Sequence, residues 1–142
     1  MKTTARNQFA GTVTTLSLGP VSAEVGIALR SGDEITATMT TAAAKRLKLK
    51  KGKEALALIK ASSIVLVTDF AGWQLSTRNQ LEGTVSRIEP GAVSSLVVLT
   101  LPGGAAITAS VTNEGVEALD LKVGVPATAV FKAYAVMVAA QP

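Results

Sequence analysis

The sequence predicts an all-β chain with short helices, built as two tandem OB-type five-stranded barrels. Three observations predict it: the chain repeats itself, its apolar residues alternate, and the alternating runs follow one fixed order around a short helix. Superposing Arg6 on Arg78 gives an offset of 78 − 6 = 72 residues. The same offset places Gly11 on Gly83, Gly19 on Gly91, Gly52 on Gly124 and Lys60 on Lys132 without a gap. Roughly 64 positions align and about 24 are identical, far more than shared composition explains. Polar residues return as well as core ones: Thr4-Ala5-Arg6-Asn7-Gln8 comes back as Ser76-Thr77-Arg78-Asn79-Gln80.

Taken in order, Phe9, Gly11 and Val13, then Val21 to Leu29, then Ile35, Ala37 and Met39 place apolar residues at every second position, the period of a half-buried strand. Arg30-Ser31-Gly32-Asp33 joins the second and third strands as a hairpin, and Pro102-Gly103-Gly104-Ala105 does so in the second copy. Gly19-Pro20 and Gly91-Ala92 mark the preceding turn. Thr40 or Thr41 caps a short alanine-rich helix over Ala42 to Leu47 that stops before Lys51-Gly52. In the second copy Asn113 is the expected cap for Glu114 to Leu119, with Gly124 closing the segment. Two strands complete each copy: Ala55 to Lys60 with Ile64 to Val67, and Ala127 to Lys132 with Val136 to Ala139.

The repeat sets the domains at 1–68 and 76–142, with 69–75 as linker, each copy expected to be one small barrel. The linker holds the only Trp, and Phe70 and Trp73 are read as apolar anchors pinning it to a barrel rather than as a stacking pair for a ligand. Units of about 65 residues lie near the lower limit for a self-sufficient core. With 48% apolar residues and a mean hydropathy of +0.39, the chain is expected to bury further surface between subunits. Its longest apolar runs fall far short of the ~20 residues of a spanning helix, so no membrane partner is expected. The N-terminal residues lack the apolar core of a secretory signal, and a cytoplasmic location is expected.

The absence of Cys and His removes thiolate catalysis, Ser/His/Asp triads and the usual zinc, copper or haem sites. The acidic residues form no recurring pair, no nucleophile has a base beside it, and neither an enzyme nor a catalytic cofactor is expected. A net charge of +4 favours anionic partners. The basic run Lys45 to Lys53 invites a nucleic-acid reading. However, the second copy keeps only Lys122 there, with Glu114, Glu117 and Asp120 nearby, and aromatics for base stacking are scarce. The run is read as a solvated helix face, and no nucleic-acid partner is expected.

What both copies share is a set of oxyanion donors. Each begins with hydroxyl or small residues followed by Arg-Asn and ends its fourth strand with Lys-Ala: Thr4-Ala5-Arg6 with Lys60-Ala61, and Ser76-Thr77-Arg78 with Lys132-Ala133. A guanidinium, an ammonium, hydroxyls and backbone N–H groups suit a compact dianion, each charge-assisted bond contributing ~1.5–3 kcal/mol. Charges that merely end edge strands are the plainer reading of the same residues. Thr36 and Thr40 recur as Thr108 and Thr112 before the helix, where a capping Thr also stands beside free N–H groups. Gly19-Pro20-Val21-Ser22 recurs as Gly91-Ala92-Val93-Ser94, either a plain turn or a backbone nest for an anion.

These residues, with Gly11-Thr12-Val13, Glu24-Val25, Ile35-Thr36-Ala37 and Leu58-Ile59-Lys60-Ala61-Ser62-Ser63, resemble the molbindin (Mop) family of cytoplasmic molybdate-binding proteins, in its two-domain form. The resemblance covers nearly the whole chain. It implies two Mop domains per chain, a homotrimer, and reversible binding of molybdate or tungstate at domain and subunit interfaces for storage and homeostasis. It further implies an oxyanion site from Thr4, Ala5, Arg6, Thr40, Lys60 and Ala61, and another from Ser76, Thr77, Arg78, Thr112, Lys132 and Ala133. A second class of site is implied around Val21, Ser22 and Ala23 and around Val93, Ser94 and Ser95. Thr4 stands for the family's Ser, Ala43 and Gly115 stand where some members have Ser, and Leu96 and Tyr134 depart from Glu24 and Ser62 of the first copy. An OB-type nucleic-acid-binding module and a ligand-sensing regulatory module are the alternatives.

Overall fold

The computed structural model describes all 142 residues. The first copy contributes β1 (Asn7–Leu18), β2 (Ser22–Leu29), β3 (Glu34–Thr40), α1 (Thr41–Arg46), β4 (Glu54–Ile59), a single 3-10 turn (Ala61–Ser63) and β5 (Val65–Val67). The second contributes β6 (Asn79–Pro90), β7 (Ser94–Thr100), β8 (Ala106–Thr112), α2 (Asn113–Ala118), β9 (Pro126–Phe131), a second 3-10 turn (Ala133–Ala135) and β10 (Met137–Ala139). The predicted all-β fold with short helices, as two five-stranded OB-type units, is what forms.

One feature differs from the expectation that each copy closes its own barrel. The sheets run β10-β4-β1-β2-β3 and β5-β9-β6-β7-β8, so each copy's last strand completes the sheet of the other copy. Met137 pairs with Leu58 and Ala139 with Leu56, while Val65 pairs with Val130 and Val67 with Thr128. The compact units are therefore Met1–Ile59 with Lys132–Pro142, and Lys60–Phe131. The two copies have one strand pattern, and the two exchanged strands pair in the same register, Met137 on Leu58 as Val65 on Val130. Local periodicity carries no information about which edge such a strand joins.

In the first unit the alternation of β1, β2 and β3 buries Val13, Val25, Ile27, Ile35 and Ala37, and β4 adds Ala57 and Ile59. In the second the same positions hold Val85, Val97, Leu99, Ile107, Ala109, Ala129 and Phe131. Each branched or aromatic side chain buried this way contributes roughly 1.5–3 kcal/mol. β1 runs beyond the alternation visible in the sequence because a bulge between Val13 and Thr15 resets its phase against β2. The second unit repeats the bulge between Val85 and Arg87. At both bulges a hydroxyl donates to the facing strand: Thr14 Oγ1 to the Gly26 carbonyl at 3.3 Å and Ser86 Oγ to the Val98 carbonyl at 3.2 Å.

Gly11 and Gly83 recur for lack of space. A Cβ on Gly11 would lie 2.4 Å from the Ala28 carbonyl oxygen, and one on Gly83 2.7 Å from that of Thr100. The linker is a turn in which Asp69 Oδ1 accepts from the Ala71 N–H at 2.8 Å and the Phe70 carbonyl accepts from the Trp73 N–H at 2.8 Å. Trp73 is 78% exposed, which overturns its reading as a buried anchor, while Phe70 is half-buried. The turn places Trp73 on an open shelf with Phe70, Gln74, Leu75 and Gln80.

Candidate functional site

The segment leading into β1 is held by the polar residues of the repeated motif. Asn7 is 1% exposed, and its Nδ2 donates to the Ile59 carbonyl at 3.2 Å, locking the end of β4 to the start of β1. Gln8 Nε2 donates to the Ala5 carbonyl at 2.8 Å, and Gln80 Nε2 repeats this on the Thr77 carbonyl at 2.8 Å. Asn79, the counterpart of Asn7, is likewise buried, opposite Phe131. Asn and Gln thus shape the loop, which buries Ala5 and leaves Thr4 and Arg6 exposed. In the second copy Ser76 and Arg78 are exposed and Thr77 half-buried.

Thr40 and Thr112 cap the two helices. Thr40 Oγ1 accepts from the Ala43 N–H and Thr112 Oγ1 from the Gly115 N–H, both at 3.1 Å. The cap in the second copy is therefore Thr112 and not Asn113, which is the first residue of α2. Asn113 does other work. Its Oδ1 accepts from Ser95 Oγ at 2.6 Å and its Nδ2 donates to the Gly91 carbonyl at 2.9 Å. In the first copy Thr41 fills this role, its Oγ1 donating to the Gly19 carbonyl at 2.7 Å. Thr36 and Thr108 sit within β3 and β8, away from the caps.

The exchanged strands decide how the candidate residues are grouped. The 3-10 turn after Lys132 packs against β3, and the one after Lys60 packs against β8. The first unit accordingly collects Thr4, Ala5, Arg6, Thr40, Lys132 and Ala133; the second collects Ser76, Thr77, Arg78, Thr112, Lys60 and Ala61. Lys60 directly follows Ile59, the partner of Asn7 on β1, and Lys132 directly follows Phe131, the partner of Asn79 on β6, so each lysine leaves its own copy's Arg-Asn segment and leads into a turn that packs against the other copy's Thr-bearing strand. Both lysines are exposed and both alanines buried at the head of their turns.

The second-class candidates lie where the turn before β2 or β7 meets the helix. The Thr41 N–H donates to the Val21 carbonyl at 2.8 Å and the Asn113 N–H to the Val93 carbonyl at 2.9 Å, so both turns are tied from behind. The Gly19 N–H donates to the Ser22 carbonyl at 2.9 Å, which uses one of the amides an anion nest would need. Ser22 and Ser94 are exposed; Ala23 and Ser95 are buried beneath them. Val21 and Val93 stand out at 74% and 75% exposure.

No group of three or more acidic, His or Cys side chains comes together, and the candidate donors are Arg, Lys, Thr, Ser and backbone groups. Asn7, Gln8, Asn79 and Gln80 stand in the recurring motif without a role of their own in the sequence reading, and in the structure they hold the loop and the strand end. Their signal was present, since Asn7 lies in phase with Gly11 and Val13 on the face of β1 that turns inward.

Residues 3–66 and 75–138 each match the model of the TOBE domain. The chain belongs to the TOBE-domain family. The two matches carry the Mop-type resemblance read from the residues. A solved structure of the cytoplasmic molybdate-binding protein ModG, with molybdate bound, superposes on this tandem TOBE chain with a TM-score of 0.96 at 48% identity, covering 99% of this chain and 100% of that one. Among sequence relatives, the molybdenum transport protein ModE of Herbaspirillum seropedicae is 66% identical over 141 residues, 99% of this chain and 52% of the relative. The molybdenum-pterin-binding protein MopA of Rhodobacter capsulatus is 41% identical over 139 residues, 98% of this chain and 52% of the relative. The chain spans about half the length of the curated relatives it matches.

Proposed function

We propose that this tandem TOBE chain binds molybdate reversibly and does no catalysis. The observation that carries the reading is the full-length likeness to ModG, whose structure holds molybdate. The recurrence of Arg6 and Arg78, Thr40 and Thr112, and Lys60 and Lys132 supports it from within the chain. A tetrahedral dianion needs only fixed donors in place of its hydration shell, and about four or five charge-assisted bonds give micromolar affinity, near −8 kcal/mol, after ordering costs.

The finer reading has Thr4, Ala5, Arg6, Thr40, Lys60, Ala61 and their counterparts Ser76, Thr77, Arg78, Thr112, Lys132, Ala133 as ligand donors. Tungstate is taken as well, at interfaces between the subunits of a cytoplasmic trimer that stores the ion. Support for subunit contact comes from apolar side chains exposed at matching positions in both copies, Val21 with Val93 and Val65 with Met137. Selectivity over sulfate would follow from donor spacing, because molybdate has the longer bonds. A second reading is favoured by the relatives named ModE, one of them a DNA-binding transcriptional dual regulator of Escherichia coli, of which this chain matches about half: the two units then form the ligand-sensing part of a regulator. Thermal melts test the shared core of both. Molybdate at about 100 times its Kd should stabilise the fold by about 2.7 kcal/mol while sulfate leaves it unchanged; equal shifts with both anions, or none, would refute the reading.

A further inference from the structure

The last turn of α1 and the stretch that follows it hold Lys45, Arg46, Lys48, Lys50, Lys51 and Lys53, with no acidic residue between Glu34 and Glu54. Without those six the chain would carry 14 − 6 = 8 basic against 10 acidic residues, a net of −2, so the whole positive charge of the protein comes from this one segment. All but Lys53 are exposed. Lys53 is occupied locally, its Nζ donating to the Leu47 carbonyl at 2.6 Å at the end of the helix.

The second unit shows that the fold does not require these charges. It builds the same helix and the same turn, with Asp120 at φ 50° where Lys48 has φ 52°, and Gly124 at φ 96° where Gly52 has φ 91°. At the matching positions it carries Glu117, Ala118, Asp120, Lys122, Val123 and Val125. Five exposed cations within seven residues repel one another, and nothing in the first unit pairs them with carboxylates. The segment presents no large exposed apolar side chain: Leu49 is buried and Leu47 half-buried. A protein partner would need an apolar anchor and a membrane surface an apolar face. A phosphodiester backbone needs only charge.

We infer that the α1–β4 segment of the first unit, through Lys45, Arg46, Lys48, Lys50 and Lys51, is a docking surface for the phosphate backbone of duplex nucleic acid. Binding there is independent of base sequence. It leaves the oxyanion donors free, since none of these five residues is among them.

The test is fluorescence anisotropy of the full chain with a labelled random-sequence DNA duplex across a salt series. The key variant, Lys45→Glu/Arg46→Ala/Lys48→Asp/Lys51→Val, copies the residues the second unit already accommodates. With about four phosphate contacts the plot of log K against log salt should have a slope near −3.6, roughly a hundredfold loss between about 50 and 200 mM. The variant should lose at least about tenfold in affinity and most of that slope, with its thermal melt and its molybdate response unchanged. Duplex binding that is absent at low salt, or that is the same in the variant, would overturn the proposal. So would tighter binding to polyglutamate or to phosphatidylserine vesicles than to the duplex. Loss of molybdate response in the parent chain alone would refute the oxyanion reading and leave this one standing.

Discussion

Ser95 donates its hydroxyl to Asn113 Oδ1 at 2.6 Å, and through Asn113 Nδ2 the contact continues to the Gly91 carbonyl at 2.9 Å. One buried side chain on β7 and the first residue of α2 thereby fasten the turn, the strand and the helix to one another. In the first unit Thr41 reaches the matching carbonyl directly, beside Ala23 where the second unit has Ser95.

Asn113→Leu removes both bonds and leaves Ser95, 4% exposed, without its acceptor. The expected cost is about 1–3 kcal/mol, which calorimetry should register as a lower Tm by about 2–4 °C per kcal/mol. Asn113→Thr, which imports the first unit's solution, should recover part of the loss only if Ser95 is also changed to Ala.

Gly11→Ala forces a Cβ into the Ala28 carbonyl, and β1 or β2 must move apart to admit it. Overpacking of this kind costs about 1–3 kcal/mol or more. Denaturant titration should show a lower midpoint with an unchanged m-value. Gly83→Ala should behave alike in the second unit, where Thr100 blocks the space.

Removing Ala133–Pro142 strips the first sheet of β10 while leaving all strands of the second in place. Hydrogen exchange should then speed up at Leu56 to Leu58 on β4 and stay slow on β9 from Ala127 to Phe131. The opposite pattern, loss of protection on β9, would mean that each last strand returns to its own copy.

Arg6→Ala with Arg78→Ala should weaken molybdate binding by at least about tenfold, the value of one lost charge-assisted bond per site, and Arg6→Ala alone, at an exposed side chain, should leave the melting curve of the unliganded chain in place. Equilibrium dialysis measures this. An unchanged stoichiometry and affinity would remove these arginines from the site.

The strands, hairpins and helices were legible in the sequence wherever side-chain alternation or capping chemistry fixes them locally. Val25, Ile27 and Leu29 name the inward face of β2, and Thr40, one of the two residues the sequence offered, caps α1. Three features were not legible, each for a physical reason. The bulge at Thr14 shifts the alternation by one residue and hides the second half of β1. Asn113 has the chemistry of a cap, but Thr112 already satisfies the Gly115 N–H, so Asn113 turns to the Gly91 loop instead. The exchange of β5 and β10 leaves no local trace, because Val65–Val67 and Met137–Ala139 pair with β9 and β4 in the same register. The candidate donors were visible as recurrences, but which Thr-bearing strand the turn after each Lys-Ala packs on was set by that exchange. Trp73 was misread because apolar bulk alone does not say whether a turn faces inward.

The most direct measurement is isothermal titration of the chain with molybdate, tungstate and sulfate, on protein whose mass is fixed by light scattering. The account predicts molybdate binding in the micromolar range or tighter, at more than one ion per chain, to a trimer that does not respond to sulfate. Absence of molybdate binding, or binding of sulfate with equal strength, would contradict it.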